Sequence, residues 1–348
     1  LDLLRFTEHV YMTIIELRSD TFTKPSKEML NSMFAASVGD DVWDEDFTVK
    51  ALEKRIALIF GMEAALFCPS GTMANQIAIK VHTQAGDEVI CDYSSHIYQY
   101  EAGGIAFNSS ASVNLLQGVN GKITVDLVQA ALKEENIHFS KQSLVSVENT
   151  TNKGGGACYE LSDLQDLSTF CKSKNLAFHM DGARLYNAIV KTNTKPSDYG
   201  SIFDSISVCM SKGLGAPIGS LLIGNNAFIG QAKRVRKVLG GGMRQAGYLA
   251  AACNYALNTN IDLLQHDHRR AKEIETTLKT LHYVKEVLPV ETNIVVFSVT
   301  DPTSFVQYLK EKNILCSAIS ATQIRFVTHL QFTDEMLEVL VIALLNWK

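Results

Sequence analysis

The sequence predicts an α/β protein, with a mostly parallel sheet covered by helices on both faces and a smaller α+β unit after it. Three observations predict it. Apolar runs of four to seven residues alternate with helix-spaced patterns. Several runs stop at a polar or charged residue, as strands do where they meet a ligand crevice. Beyond about residue 250 the alternation gives way to a long helical stretch followed by short strands.

In chain order, the predicted strands are DEVICD (87–92), SLVSVEN (143–149), LAFHMD (176–181), SISVCMS (205–211) and GSLLIG (219–224). LSDLQDLSTFCKSKN (161–175) carries apolar residues at helical spacing between two of them. The later part reads as one helical stretch over 246–281, a strand in TNIVVFSV (292–299), a helix in DPTSFVQYLKEKN (301–313) and a strand in QIRFVTH (323–329). LEVLVIALLNW (337–347) reads as a C-terminal core helix. The expected division is an extension over 1–13, a large domain with an N-terminal arm over 14–250, and a small domain over 251–348. Met12 would serve as an internal start.

The chain has 348 residues, 46% hydrophobic and 20% charged, with a net charge of -5. That balance predicts a packed fold and argues against a nucleic-acid or anionic-membrane surface. No apolar run reaches the roughly 18–20 residues that span a bilayer, and the first fifteen residues lack signal-peptide features. The seven cysteines include no C-x-x-C pair, which favours reduced thiols, no zinc site and a cytoplasmic setting. His266 and His268, two apart on a predicted helix, fall on different faces, so a shared metal is not expected.

Four segments could carry chemistry. Lys212, in SVCMSKGLGAPIGSLLIG (207–224), ends an apolar run beside glycine. Such a lysine is often only a solvated charge; among apolar neighbours it is also a usable nucleophile toward aldehydes. In FHMDGARLYNA (178–188), His179 and Asp181 point to one side of a strand. A buried Asp181 needs a partner, either Arg184 or a protonated ring nitrogen. In FCPSGTMANQIAIKVH (67–82), Pro69, Ser70, Gly71 and Thr72 open a helix, as an ordinary N-cap or as a phosphate site. In DYSSHIYQYEAGG (92–104), His96 follows a strand among Tyr93, Tyr98 and Tyr100, placed for a structural role, ring stacking or proton transfer. Together they describe one ligand: an aldehyde on Lys212, a ring nitrogen facing Asp181, a phosphate on Gly71 and Thr72, and a flat ring under His96. That ligand is pyridoxal 5′-phosphate. Neither a Walker lysine pattern nor a dinucleotide glycine fingerprint is present.

The chain also resembles the low-specificity L-threonine aldolases. The resemblance is carried by ELRSDTFTKPS (16–26), VGDDVW (38–43), ALFCPSGTMANQ (65–76), SSHIYQYEAGG (94–104), IHF (137–139), SVENT (146–150), HMDGARLYNA (179–188), SKGLGAPIGSLL (211–222), GGGMRQAG (240–247) and IRFVTH (324–329). The resemblance implies a fold-type-I, aspartate-aminotransferase-like large domain with a seven-stranded sheet. It implies cleavage of L-threonine or L-allo-threonine to glycine and acetaldehyde, with another amino-acid lyase reaction, β-elimination, as the alternative. Lys212 would be the Schiff-base lysine and Asp181 the partner of the pyridine nitrogen. Ser70, Gly71 and Thr72 would hold the phosphate, with Lys237 and Arg244 adding charge from a neighbouring subunit. Arg184 would lie beside the ring oxygen or the substrate. Ser19 and Arg325 would hold the substrate carboxylate, with Tyr100 also on the substrate side. His96 would stack on the ring and His138 approach the β-hydroxyl, the base being His138, His96 or water. The resemblance further implies a homotetramer built from dimers, with active sites between subunits. WDEDFTV (43–49) departs from the family's Tyr-Gly-x-Asp-Pro-Thr-like run at Trp43, Asp44 and Phe47.

Overall fold

The computed structural model describes residues 14–347, and the expected extension over 1–13 lies outside the described residues. Thirteen strands are labelled in chain order: β1 (Ile15–Glu16), β2 (Ala64–Cys68), β3 (Glu88–Asp92), β4 (Ser112–Leu116), β5 (Gln142–Glu148), β6 (Ala177–Gly182), β7 (Ser205–Cys209), β8 (Ser220–Gly224), β9 (Val284–Val287), β10 (Ile294–Val299), β11 (Ile314–Leu315), β12 (Ser317–Ala318) and β13 (Gln323–Val327).

Seven strands form one sheet in the order β2-β8-β7-β6-β5-β3-β4. β8 runs antiparallel to β7 and β2, and the other pairings are parallel. The expected mostly parallel, seven-stranded sheet is therefore present. β3, β7 and β8 are buried along their whole length, because helices cover both faces. Three helices of this domain start on side-chain caps supplied by the local sequence: Asp46 caps Phe47–Phe60, Ser70 caps Gly71–His82 and Asn225 caps Asn226–Val238. The chain moves outward from β3 to β4 and inward from β5 to β7. A crevice thus opens at the carboxyl ends between β3 and β5.

The second sheet is antiparallel, in the order β12-β13-β10-β9. Helices Leu264–Leu278, Pro302–Glu311 and Asp334–Leu345 contribute to its core with Leu278, Phe305 and Leu340. Two placements differ from the expected division. Ile15 and Leu17 of the N-terminal arm belong to this second core, because β1 pairs with β11 and Leu17 O accepts from Val327 N. Conversely, Cys253 and Ala256 of helix Gly247–Thr259 pack into the large core.

The single helical stretch expected over 246–281 is also two helices, Gly247–Thr259 and Leu264–Leu278. The break falls at Asn260, whose side-chain amide donates to Leu214 O at 2.9 Å, tying the turn to the loop beyond Lys212. At the WDEDF departure, Asp44 adopts φ 59°, the left-handed region where glycine is the usual residue. Trp43 and Phe47 beside it are 74% and 72% exposed. No described helix is long and apolar enough to cross a membrane, and all seven cysteines are buried and free.

Candidate active site

The carboxyl ends of the central strands deliver the polar groups. Glu148 ends β5, Asp181 lies near the end of β6, Lys212 follows β7 and His96 follows β3. They face two adjoining cavities. The inner one, about 120 Å³, is lined by Gly71, Thr72, Asn75, Asp181, Cys209 and Ser211 among others. The outer one, about 430 Å³, is lined by Ser19, Tyr100, Asn152, Lys153, Arg184 and Arg325, with β12 closing it from the small domain. Lys212 and His96 line both cavities, so they stand where the two meet.

Asp181 is buried, and its hydrogen bonds do not include Arg184. Its Oδ2 accepts from Asn75 Nδ2 at 2.8 Å and its Oδ1 from Ala183 N at 3.0 Å. Arg184 does not pair with it. Arg184 binds Asp20 instead, with Nε to Oδ2 at 2.8 Å and Nη2 to Oδ1 at 2.7 Å. The Asp181 carboxylate therefore has no cationic partner among the described residues, although a buried charge calls for one. His179 lies on the same side as expected, since Asn75 Oδ1 contacts its Nε2 at 3.3 Å while Asn75 Nδ2 reaches Asp181. Burial pulls His179 down to about 3, so it is neutral.

At the start of helix Gly71–His82, Ser70 Oγ accepts from Met73 N at 3.1 Å and Ser70 O from Ala74 N at 3.1 Å. The Ser70 hydroxyl is thus used as the cap. The amides of Gly71 and Thr72 find no acceptor among the described residues and remain as donors at the positive end of the helix. A Cβ on Gly71 would come within 2.5 Å of Cys209 Sγ, so glycine is needed for this close approach.

His96 Nδ1 lies 2.9 Å from Glu101 Oε1. Burial alone lowers the His96 pKa, but the hydrogen bond to Glu101 and the charges of Asp181 and Glu101 outweigh it, so the value is raised. Glu148, buried beside Asp181, is pushed up to about 7. It accepts from His96 N at 3.0 Å and Asn152 N at 2.9 Å, fixing the two loops that supply His96 and Asn152.

Arg325 is held by Asn152 Oδ1 at 2.7 Å and Arg18 O at 3.1 Å. Its Nε is buried without an acceptor. Burial and the neighbouring Arg184 lower its pKa.

Three residues named from the sequence are not brought to Lys212 by this chain. His138 lies on the exposed segment that precedes β5, at the opposite edge of the sheet from Lys212, because parallel strands present their amino ends there. Arg244 is exposed and bonds Asp40 Oδ2 at 3.0 Å. Lys237, at the end of helix Asn226–Val238, lies over Gly242. Four residues that do build the site were not singled out: Asp20, Asn75, Glu101 and Asn152. Their roles rest on contacts distant in sequence, though Asp20, Asn75 and Glu101 lie inside quoted motifs.

A family model described as beta-eliminating lyase matches residues 16–302. The chain is 41% identical to a low specificity L-threonine aldolase of Escherichia coli O157:H7, over 93% of this chain and 96% of that protein. It is 37% identical to low-specificity L-threonine aldolase 1 of Arabidopsis thaliana, over 92% and 93% of the two chains. Among solved structures, threonine aldolase of Leishmania major matches with a TM-score of 0.85 at 20% identity, covering 95% of this chain and 99% of that one. That likeness shows the fold, the fold-type-I architecture expected from the sequence. The chain belongs to the beta-eliminating lyase family and, within it, to the low-specificity L-threonine aldolases.

Proposed function

We propose that the protein is a pyridoxal 5′-phosphate-dependent aldehyde-lyase that cleaves L-threonine and L-allo-threonine to glycine and acetaldehyde. The observation that carries this reading is the pair of cavities meeting at Lys212. The inner one is lined by the Asp181 carboxylate, which Arg184 leaves unpaired, and the outer one by the Arg325 guanidinium.

The residues present fit the cofactor. Lys212 would hold its aldehyde end, Asp181 its ring nitrogen, and the amides of Gly71 and Thr72 its phosphate. When bound, the cofactor supplies an electron sink for the pair released as the Cα–Cβ bond breaks. Asp181, kept in place by Asn75 and Ala183 N, keeps that nitrogen protonated. Arg325 and Ser19 orient the substrate carboxylate from the outer cavity. Orientation selects which bond at Cα is cleaved. His96, the histidine that lines the outer cavity, takes the β-hydroxyl proton.

Two predictions arise from these assignments. Arg325→Leu should raise KM for L-allo-threonine about tenfold to 150-fold, the loss of a charge-assisted hydrogen bond, as steady-state kinetics would read. A KM within twofold of the parent's would remove Arg325 from carboxylate binding. Glu101→Gln removes a negative partner from His96, so the His96 pKa falls. The acid limb of kcat/KM, where His96 must lose its proton to act as base, should move to lower pH. An unmoved limb would exclude His96 as the base.

The competing reading is β-elimination, which the family's description also covers. Product analysis separates the two: acetaldehyde with glycine supports the aldolase reading, and ammonia with a keto acid supports elimination. The reading also includes a reducing, cytoplasmic setting, supported by seven free buried thiols. It includes a tetramer in which Lys237, Arg244 and His138 act on a neighbour's site. Exposed Trp43 and Phe47 supply apolar surface for such a contact.

A further inference from the structure

The outer cavity is lined by four cationic side chains, Lys153, Arg184, Lys212 and Arg325, and by no carboxylate. Three of the four have tasks. Arg184 is neutralised by Asp20, Lys212 would hold the cofactor, and Arg325 would hold the α-carboxylate. Lys153 is left over. Its ammonium donates to Ile319 O at 3.0 Å and lies 5.6 Å from the Tyr100 ring centroid, and no carboxylate pairs with it among the described residues. An ammonium has three donors, so two remain free.

Lys153 also stands on a boundary. A second cavity of about 410 Å³ adjoins the outer one and shares Tyr100, Lys153 and Ile319 with it. Its other walls are polar and glycine-rich, including Ser94, Gln99, Asn120, Gly121 and Gln323, and again include no carboxylate. Acetaldehyde needs none of this space. A longer substrate side chain leaving the outer cavity would pass Lys153 on its way into the second. A free cation beside an aromatic face at such a threshold favours an anionic group over a neutral one.

We propose that Lys153 is a specificity-determining residue, selecting β-hydroxy-α-amino acids whose side chain ends in a carboxylate over neutral chains of the same shape. The inference rests on the aldolase reading and deepens it. Run in the synthetic direction, the step joins the α-carbon of glycine to the aldehyde carbon of succinic semialdehyde. The proton lost from glycine is balanced by the proton gained on the new β-hydroxyl oxygen, giving 2-amino-3-hydroxyadipate with no redox change.

The test compares succinic semialdehyde with 4-methylpentanal, its neutral near-isostere, in condensation with glycine by the holoenzyme, with acetaldehyde as the reference. The readout is the ratio of kcat/KM for the charged aldehyde to that for the neutral one. Lys153→Gln should lower that ratio about tenfold, the scale of one charge-assisted hydrogen bond at a partly exposed site. Lys153→Arg should retain most of it, and added salt should shrink it in the parent. An unchanged ratio in Lys153→Gln would overturn the proposal. So would an equal loss for both aldehydes with a raised KM for glycine, which would assign Lys153 to the α-carboxylate. Turnover of acetaldehyde but of neither longer aldehyde would remove the subsite and leave the aldolase reading standing. Failure with all three aldehydes would overturn that reading and the subsite with it.

Discussion

Lys212→Ala is expected to lose at least about 10⁴-fold in turnover of L-allo-threonine, because in the proposed mechanism the residue supplies the nucleophile that would hold the cofactor's aldehyde. It stands where the inner and outer cavities meet, and no other lysine lines the inner one. The substitution removes a long side chain from a half-buried position, so the fold should survive it. The visible absorption band of lysine-bound cofactor should vanish even where cofactor still binds non-covalently. Residual turnover near the parent's, in a variant that keeps the band, would mean that another amine carries the cofactor.

Asp20→Ala is expected to destabilise the fold by about 3–5 kcal/mol, the usual effect of leaving one member of a buried ion pair unpartnered. Asp20 and Arg184 are almost wholly buried and joined by two hydrogen bonds, and Asn293 Nδ2 adds a third to Asp20 at 3.2 Å. Burial alone would push Asp20 up. The charge and hydrogen bonds of Arg184, with Lys212 and Asn293, hold it below the ordinary carboxylate range. A depressed folded-state pKa contributes stability that is complete above the unfolded value of about 4 and is lost as pH falls through the folded one. Urea unfolding at neutral pH should therefore show the full difference between parent and variant. The difference should shrink on acidification below that range. A variant within 1 kcal/mol of the parent at pH 7 would show that Arg184 finds another partner.

The legibility of this protein in its sequence divides along a physical line. Strands buried on both faces leave continuous apolar runs, so β3, β5, β6, β7 and β8 could be read directly. β4 could not, because SVNLL is mostly half-buried or exposed and carries no such run. The groups at strand ends, Asp181, Lys212 and His96, were visible because strand termini face the crevice. Asn75 lies inside a family-like motif, but its part depends on reaching Asp181, 106 residues away, which local sequence does not show. Asp20 was hidden for the same reason, its partner Arg184 being 164 residues away. The helix break at Asn260 depends on a hydrogen bond to the loop after Lys212, which helical periodicity cannot reveal. His138, Lys237 and Arg244 rested on resemblance alone, and a single chain does not bring them to the site.

The most direct measurement is an absorption spectrum of the purified protein supplied with pyridoxal 5′-phosphate, before and after L-allo-threonine is added, with acetaldehyde and glycine assayed in the same cuvette. A visible band that shifts on addition, followed by acetaldehyde and glycine in equal amounts, is the predicted result. A band with ammonia and a keto acid as products, or no band at all, would contradict it.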